Sequence, residues 1–226
     1  MSFRFTSVLA LALAAVNVAG QSLSVVNECS ESVFLFTQTS FGTISNDLTV
    51  AAGATQDMGI STNWDGAINV GEYLHHRRPT WNGERPCPRA NLTFLLFPGQ
   101  VTYDISLIYG YNVGMEISTG DTSCDAFACT ISSGCLLLSC CSSAAACAGG
   151  ALPASGGGCV DNAGPGPQSP FYYTTCPNAY AFPDNDGADG FTPADEVDFT
   201  CGNTAVTLTL CPGTTSDLPC QQVTEP

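Results

Sequence analysis

Carboxylates are the most numerous side chains in this sequence that could do chemistry, and they crowd one stretch near its C-terminal end. Six acidic residues surround Gly187 and Gly190: Asp184, Asp186, Asp189, Asp195, Glu196 and Asp198. Oxygen-rich loops bind Ca²⁺ when their ligands are regularly spaced. The EF-hand spacing fails here, because Ala188 occupies the fifth position and the glycine is displaced. We therefore predict a solvated acidic loop and no metal, with a loose extracellular Ca²⁺ site as the alternative.

Net charge restricts the partners of the protein. The 226 residues carry 20 Asp plus Glu against 5 Lys plus Arg, for a net charge of −15. Apart from Arg4, every Arg lies with both His in residues 75–89. A polyanion is repelled by nucleic acid and by anionic membranes. We predict neither partner, no cofactor and a monomer. The Arg/His segment is interpreted as a solvated loop, with docking of an acidic protein as the alternative.

The first 20 residues are typical of a secretion signal. Arg4 supplies a positive start, and residues 7–15 form an apolar stretch too short to span a bilayer. Small residues at positions 18–20 provide a cleavage point before Gln21. A short membrane anchor is the alternative, but no stop-transfer pattern follows. We therefore predict an exported, extracellular protein of residues 21–226, with the cell wall as a candidate location.

Cysteine usage agrees with export. All 13 cysteines follow the predicted signal, and such density in an exported chain is typical of a disulfide framework. A metal site is the alternative, since Cys135, Cys140, Cys141 and Cys147 form a dense cluster. The paired C-x₂-C knuckles of zinc modules are absent from the sequence, however. Because the count is odd, at least one thiol is free or bridged to another molecule if the rest pair.

Short segments typical of β-strands, separated by Gly and Pro residues, must position the acidic side chains and the cysteines. We predict strands at residues 23–27, 32–36, 47–50, 66–70, 92–97, 101–109, 111–118 and 205–210. Between Gly149 and Pro170 the only large apolar residues are Leu152 and Val160, so crosslinks must order that segment. The predicted fold is an all-β sandwich of residues 21–123 and 202–215. A Cys-rich, loop-rich lobe (124–201) is inserted into it, and a tail (216–226) follows.

Four stretches resemble the thaumatin family, a group of secreted plant and fungal proteins. They are VVNEC (25–29), YDISLIYGYNVGM (103–115), CDAFAC (124–129) and CPNAYAFPDND (176–186), the last followed by FTC (199–201) and LTLCP (208–212). Since they touch both ends and the middle, the resemblance covers the mature chain. It implies a thaumatin-like β-sandwich with an inserted disulfide-rich lobe and an acidic cleft between the two.

The resemblance also implies three disulfides, Cys29–Cys211, Cys124–Cys201 and Cys129–Cys176. It assigns no partner to the other cysteines: Cys87, Cys135, Cys140, Cys141, Cys147, Cys159 and Cys220. The early bridges of the family have only Cys87 left in this sequence. That part of the domain is therefore expected to be trimmed.

In the family, the cleft is associated with binding β-1,3-glucan, and some members hydrolyse it weakly. The resemblance places Asp104 in this cleft, together with Asp184 or Asp186. The second aspartate of the family falls on Tyr109, and its glutamate falls on Thr93. Glycoside hydrolysis ordinarily needs two carboxyls, and loss of a general acid costs about 10²–10⁴ in rate. We therefore predict a broken catalytic pair and binding without efficient hydrolysis.

Tyrosines could replace lost carboxyls as a sugar-stacking surface. Tyr109 and Tyr111 alternate along the signature stretch, although packing in the core is the alternative for Tyr111. The predicted ligand-binding residues are Asp104, Tyr109, Tyr111, Asp184 and Asp186. Asn91 opens the sequon Asn91-Leu92-Thr93 and is a predicted glycosylation site, with an unused sequon as the alternative.

Three functional hypotheses follow. The first is a secreted module that binds β-1,3-glucan and acts in wall remodelling or defence. The second is a weak endo-β-1,3-glucanase that uses Asp104 with Asp184 or Asp186. The third is a protein-binding inhibitor or effector that uses the Arg/His segment.

Overall fold

Twelve short strands make up nearly all the regular structure of the described residues. The computed structural model describes residues 21–72, 91–97, 99–108, 111, 113–131, 164–165 and 169–213, with the backbone alone for 71–72, 91–97 and 171. The strands are β1 (Ser22–Asn27), β2 (Val33–Phe41), β3 (Leu48–Val50), β4 (Thr55–Asp57), β5 (Asp65–Glu72), β6 (Asn91–Phe97), β7 (Gln100–Ser106), β8 (Met115–Thr119), β9 (Phe127–Cys129), β10 (Ala179–Tyr180), β11 (Phe199–Gly202) and β12 (Ala205–Leu210). Helix α1 (Ser169–Thr175) and a 3₁₀ turn (Ala188–Gly190) complete these ranges. No helix within them has the length and apolar character needed to cross a membrane.

The strands form two open sheets. One has the order β4-β1-β12-β8-β9, so the first and last strands lie side by side and parallel. The other has the order β3-β2-β5-β6-β7-β10, and β11 pairs with the first half of β7. Apolar residues of both sheets join one buried core, which confirms the predicted all-β sandwich.

Alternation of apolar and polar residues explains why β1 and β12 bury one face against the core. Successive strand residues point to opposite faces, so a period of two buries one face only. In β1 the alternate side chains of Leu23 and Val25 are fully buried, and in β12 those of Val206 and Leu208 are. These are among the strands that the sequence predicted.

The predicted strand at residues 111–118 begins later than expected. Pairing of β8 with β12 starts at Met115, which lies opposite Leu210 at the end of β12. Cys211 then adopts a positive φ of 53° and its N–H donates to the carbonyl of Gly114. The chain turns there, so no partner strand continues alongside the described residues before Met115.

Three disulfides join distant parts of the described chain. Cys29–Cys211 connects the residues that follow β1 and β12, over a sequence separation of 182. Cys124–Cys201 connects the segment after β8 to β11, and Cys129–Cys176 connects β9 to the end of α1. These are the pairs that the family resemblance implied. The other cysteines lie outside the described residues.

Parts of the predicted lobe join the sheets. Strand β9 pairs with β8, whereas β10 and β11 pair with successive halves of β7. The division into sandwich, lobe and tail stays a prediction, since most of the lobe and the tail lie outside the described residues.

Candidate functional site

The edge of the seven-stranded sheet brings two distant parts of the sequence together. Strand β10 runs parallel to the end of β7, with Tyr180 opposite Ser106. The N–H of Leu107 donates to the carbonyl of Tyr180 over 2.7 Å. The YDIS segment (103–106) and the CPNAY segment (176–180) are thereby neighbours, although they are far apart in the sequence. Tyr180 therefore lies beside the strand that carries Asp104.

Tyr180 is the centre of an acidic cluster, which we define as its hydroxyl with Asp104, Asp186 and Asp198. The hydroxyl donates to Oδ2 of Asp198 over 2.7 Å and lies 3.3 Å from Oδ2 of Asp186. Burial, the hydrogen bond and charge of Asp198, and the charges of Asp186 and Asp104 together raise the pKa of Tyr180 far above its usual value. The phenol therefore stays neutral and remains a hydrogen-bond donor at physiological pH.

Asp104 is the buried member of the cluster. Its side chain is 5% exposed, whereas those of Asp186 and Asp198 lie at the surface. In the sheet it pairs with Thr93 of β6. Thr93 is the position to which the resemblance assigned the missing glutamate. The register thus places the lost and the retained carboxyl positions side by side on neighbouring strands.

Of the two candidate aspartates in the acidic loop, Asp186 is the one that contacts Tyr180. Its other oxygen, Oδ1, accepts from the N–H of Ala188 over 3.0 Å, which fixes the side chain in the turn. Asp184 has a positive φ of 63°, and its carbonyl accepts from the N–H of Gly187. Asp184 contributes to the turn through its backbone, and a role in ligand binding stays a prediction.

Neither Tyr180 nor Asp198 was among the predicted site residues, and Asp198 is the carboxylate of the cluster that the sequence did not single out. It was grouped with the solvated acidic loop, yet it lies directly before β11. Val197 and Phe199 on either side are buried and Asp198 is exposed, so the strand alternation already begins here. Phe199 stacks on Phe127 of the other sheet with ring centroids 4.2 Å apart, which anchors this end of the strand. The Val-Asp-Phe alternation was the available signal.

The aromatic candidates have different positions. Tyr111 is half-buried against the core, and its hydroxyl accepts from the N–H of Ile131 over 2.9 Å. Burial raises the pKa of Tyr111, and the bond from Ile131 opposes that change. Tyr109 lies outside the described residues. The ligand-binding roles of both tyrosines stay predictions.

The predicted glycosylation site lies on a strand. Asn91 opens β6, where it pairs with Asn69 of β5 and Ser106 of β7. The structure describes only the backbone at this position. Glycosylation of Asn91 stays a prediction.

A second group of potential metal ligands lies elsewhere. Asp121, Cys124 and Cys201 have ligand atoms within 4.8 Å of one another. Both sulfurs belong to one disulfide, so the group offers a carboxylate and no thiolate. The carboxylate accepts from the N–H and hydroxyl of Ser123, and these bonds lower the pKa of Asp121. Its hydrogen bonds are those of a local turn.

Comparison with known proteins concerns the fold. No protein-family model matches the chain. The three disulfides implied by the resemblance are all present in a two-sheet sandwich. The fold is thaumatin-like. Bridges of this kind persist in oxidising compartments, which is consistent with an extracellular protein.

Solved structures that are similar to the chain include a fungal elicitor and a xylanase inhibitor. The protein elicitor MoHrip2 from Magnaporthe oryzae is 14% identical with a TM-score of 0.43, and the match covers 84% of this chain and 98% of that one. The thaumatin-like xylanase inhibitor TLXI is 13% identical with a TM-score of 0.45, and the match covers 84% of this chain and 99% of that one.

Proposed function

We propose that this is a secreted thaumatin-like protein that binds neutral cell-wall polysaccharide, β-1,3-glucan foremost, at the acidic cluster. The proposed role is in wall remodelling or defence. The observation that carries the proposal is the contact of the Tyr180 hydroxyl with both Asp198 and Asp186, on the strand neighbouring the one that carries Asp104.

The chemistry of the cluster suits a ligand that is rich in hydroxyl groups. Carboxylates accept hydrogen bonds, and bonds to charged acceptors contribute about 1.5–3 kcal/mol each. All Arg and His residues lie outside the described residues and the sequence has no Lys, so within the described part no cationic side chain competes for the carboxylates. Acidic glycans would meet like charge at the cluster, and we expect discrimination against them.

Stacking supplies the second part of the proposed recognition. Sugar rings present apolar C–H faces that pack on aromatic rings. Tyr180 is half-buried, so part of this residue remains accessible to a ligand. Tyr109 and Tyr111 are proposed to extend this surface.

Sedimentation with insoluble β-1,3-glucan tests the proposal. The mature, disulfide-bonded protein should pellet with the polysaccharide, and Tyr180→Phe and Asp198→Asn should pellet less. Glu31→Gln is the matched control, because it removes an exposed carboxylate from the turn between β1 and β2. Wild-type protein that stays in the supernatant would exclude glucan binding.

Weak hydrolysis is the second candidate, and one observation favours it. Asp104 is 5% exposed while Asp186 is at the surface, and the charges of both act on the hydroxyl of Tyr180. Carboxyls in unlike environments can take the separate roles of acid and base. Release of reducing ends from a soluble glucan, abolished in Asp104→Asn, would establish it. The inhibitor hypothesis depends on residues 75–89, which lie outside the described residues.

A further inference from the structure

The side chain of Asn185 lies at the centre of the loop that supports the acidic cluster. It is 0% exposed, and its amide makes three hydrogen bonds. Oδ1 accepts from the N–H of Ala181 over 2.9 Å. Nδ2 donates to the carbonyl of Pro193 over 3.3 Å and to Oδ2 of Asp195 over 3.1 Å. The backbone N–H of Asp195 donates to the carbonyl of Asn185 over 2.9 Å.

The amide and its partners lie close in sequence to the three cluster members of the C-terminal part. Ala181 follows Tyr180, Asn185 precedes Asp186, and Asp195 lies shortly before Asp198. Both sides of the loop are therefore tied to one buried side chain.

We propose that Asn185 is the positioning residue of the acidic cluster, holding both sides of the loop so that Asp186 and Asp198 meet Tyr180. The inference rests on the proposed function only where ligand binding is the readout.

An amide suits this position and a carboxylate does not. Asparagine has one acceptor oxygen and two N–H donors, and all three are used here. A carboxylate at position 185 could accept from Ala181 but would face the carbonyl of Pro193 and the carboxylate of Asp195. Among the described residues, Asp195 is the titratable group that contacts the amide of Asn185. Asp184 and Asp186 flank Asn185 in the sequence. Like charges this close disfavour ionisation of both.

The deciding variant is Asn185→Asp. It preserves the shape of the side chain but replaces the two N–H donors of the amide with an acceptor oxygen. At about pH 4, near the usual pKa of aspartate, the carboxyl groups at positions 185 and 195 of this variant can share a proton, and we expect glucan binding close to that of the wild type. Burial and like charge delay the loss of the shared proton, and once it is lost at higher pH the two carboxylates repel. We expect binding to weaken by roughly tenfold or more there.

Exchanging the side chains at positions 185 and 195 also tests the contact between Asn185 and Asp195. The double variant Asn185→Asp/Asp195→Asn restores a donor opposite an acceptor and removes the like-charge pair. It should recover most of the binding at the higher pH and lose the dependence on pH. Asp195→Asn alone keeps an amide donor at position 185 and should bind like the wild type.

A readout without glucan separates this inference from the proposed function. The phenol of Tyr180 is followed by the ultraviolet absorbance of phenolate in alkaline titrations, each variant being compared with its own Tyr180→Phe derivative. Asn185→Asp should let Tyr180 ionise at lower pH than in the wild type, because Asp198 no longer holds its hydroxyl, and the exchanged double variant should reverse this.

The outcomes are distinct. Unchanged Tyr180 ionisation in Asn185→Asp, with glucan binding that follows the wild type at every pH, would overturn the positioning role. Shifted ionisation in a protein whose wild type ignores glucan would uphold that role and reject the proposed function. If Asn185→Asp unfolds at the higher pH, the exchanged double variant decides: failure to restore Tyr180 ionisation overturns the role.

Discussion

Two buried asparagines, Asn27 in the sandwich and Asn185 in the acidic loop, make similar contacts in regions that are stabilised differently. Both are 0% exposed, and both use the amide for three hydrogen bonds. Asn27 donates to the carbonyls of Glu31 and Val50 and accepts from the N–H of Cys29. All three of these partners are backbone groups, whereas one partner of Asn185 is a carboxylate.

The surroundings of Asn27 and Asn185 show which interactions stabilise each region. Asn27 ends β1, which is paired on both sides by β12 and β4 and is followed by the disulfide at Cys29. Asn185 lies in a loop where side-chain contacts take the place of a strand ladder. The sandwich therefore depends on apolar burial and strand pairing, which respond little to pH. The acidic loop depends on polar contacts that respond to charge.

The largest expected effect is on the sandwich and comes from removing the Cys29–Cys211 bridge. Its separation of 182 residues closes a very long loop, and the chain-entropy model gives a loss of about 5 kcal/mol for Cys29→Ser/Cys211→Ser. Removing Cys129–Cys176, with a separation of 47, should cost about 1 kcal/mol less. Urea unfolding of both variants measures the free energies. Equal losses, or a larger loss at the shorter bridge, would contradict this ranking.

The next effect compares the two asparagines directly. Asn27→Ala removes three hydrogen bonds of a buried side chain in the sandwich, and we expect a global loss of about 2–4 kcal/mol. Asn185→Ala breaks as many bonds, but the loop can open locally, so its global loss should be smaller. Urea unfolding gives the global term, and hydrogen exchange at residues 181–195 gives the local one. Asn185→Ala costing as much global stability as Asn27→Ala would show that the loop unfolds with the sandwich.

The sequence predicted those strands whose own residues alternate between apolar and polar. The alternation of β1 and β12 predicted the two strands, and the family resemblance implied the Cys29–Cys211 bridge that joins them. The sequence did not predict β10 and β11, because strands of 2 and 4 residues show little periodicity and form only against β7, far away in the chain.

The candidate site was predicted only in part, because some of its contacts join distant parts of the chain. Asp104 and Asp186 were selected through the resemblance, and both belong to the cluster. The contact of Asp198 with Tyr180 depends on how β10 and β11 meet β7, which no local pattern records. The role of Asn185 was hidden because an asparagine between two aspartates looks like any polar loop residue until its burial is known.

Alkaline conditions should reveal the acidic loop in a stability measurement. The pKa of Tyr180 is raised in the folded state, so the unfolded protein releases this proton first, above about pH 10. Its contribution to stability is complete below that pH and is lost as the pH rises further. Above about pH 10, the free energy of unfolding of the wild type should therefore fall with pH more steeply than that of Tyr180→Phe. The difference between the two slopes should correspond to one proton. Identical slopes in the two proteins would mean that Tyr180 ionises normally in the folded state.

The smallest expected effect separates the two surface carboxylates of the cluster. Asp198 accepts the hydroxyl of Tyr180 at 2.7 Å and Asp186 lies at 3.3 Å, so Asp198→Asn should lower the pKa of Tyr180 more than Asp186→Asn. Both carboxylates are solvated and screened, and we expect each variant to change global stability by less than about 1 kcal/mol. Phenolate absorbance ranks the two pKa values, with Glu31→Gln as the charge-matched control. The reverse ranking would show that Asp186, and through it the turn at Ala188, is the principal partner of Tyr180.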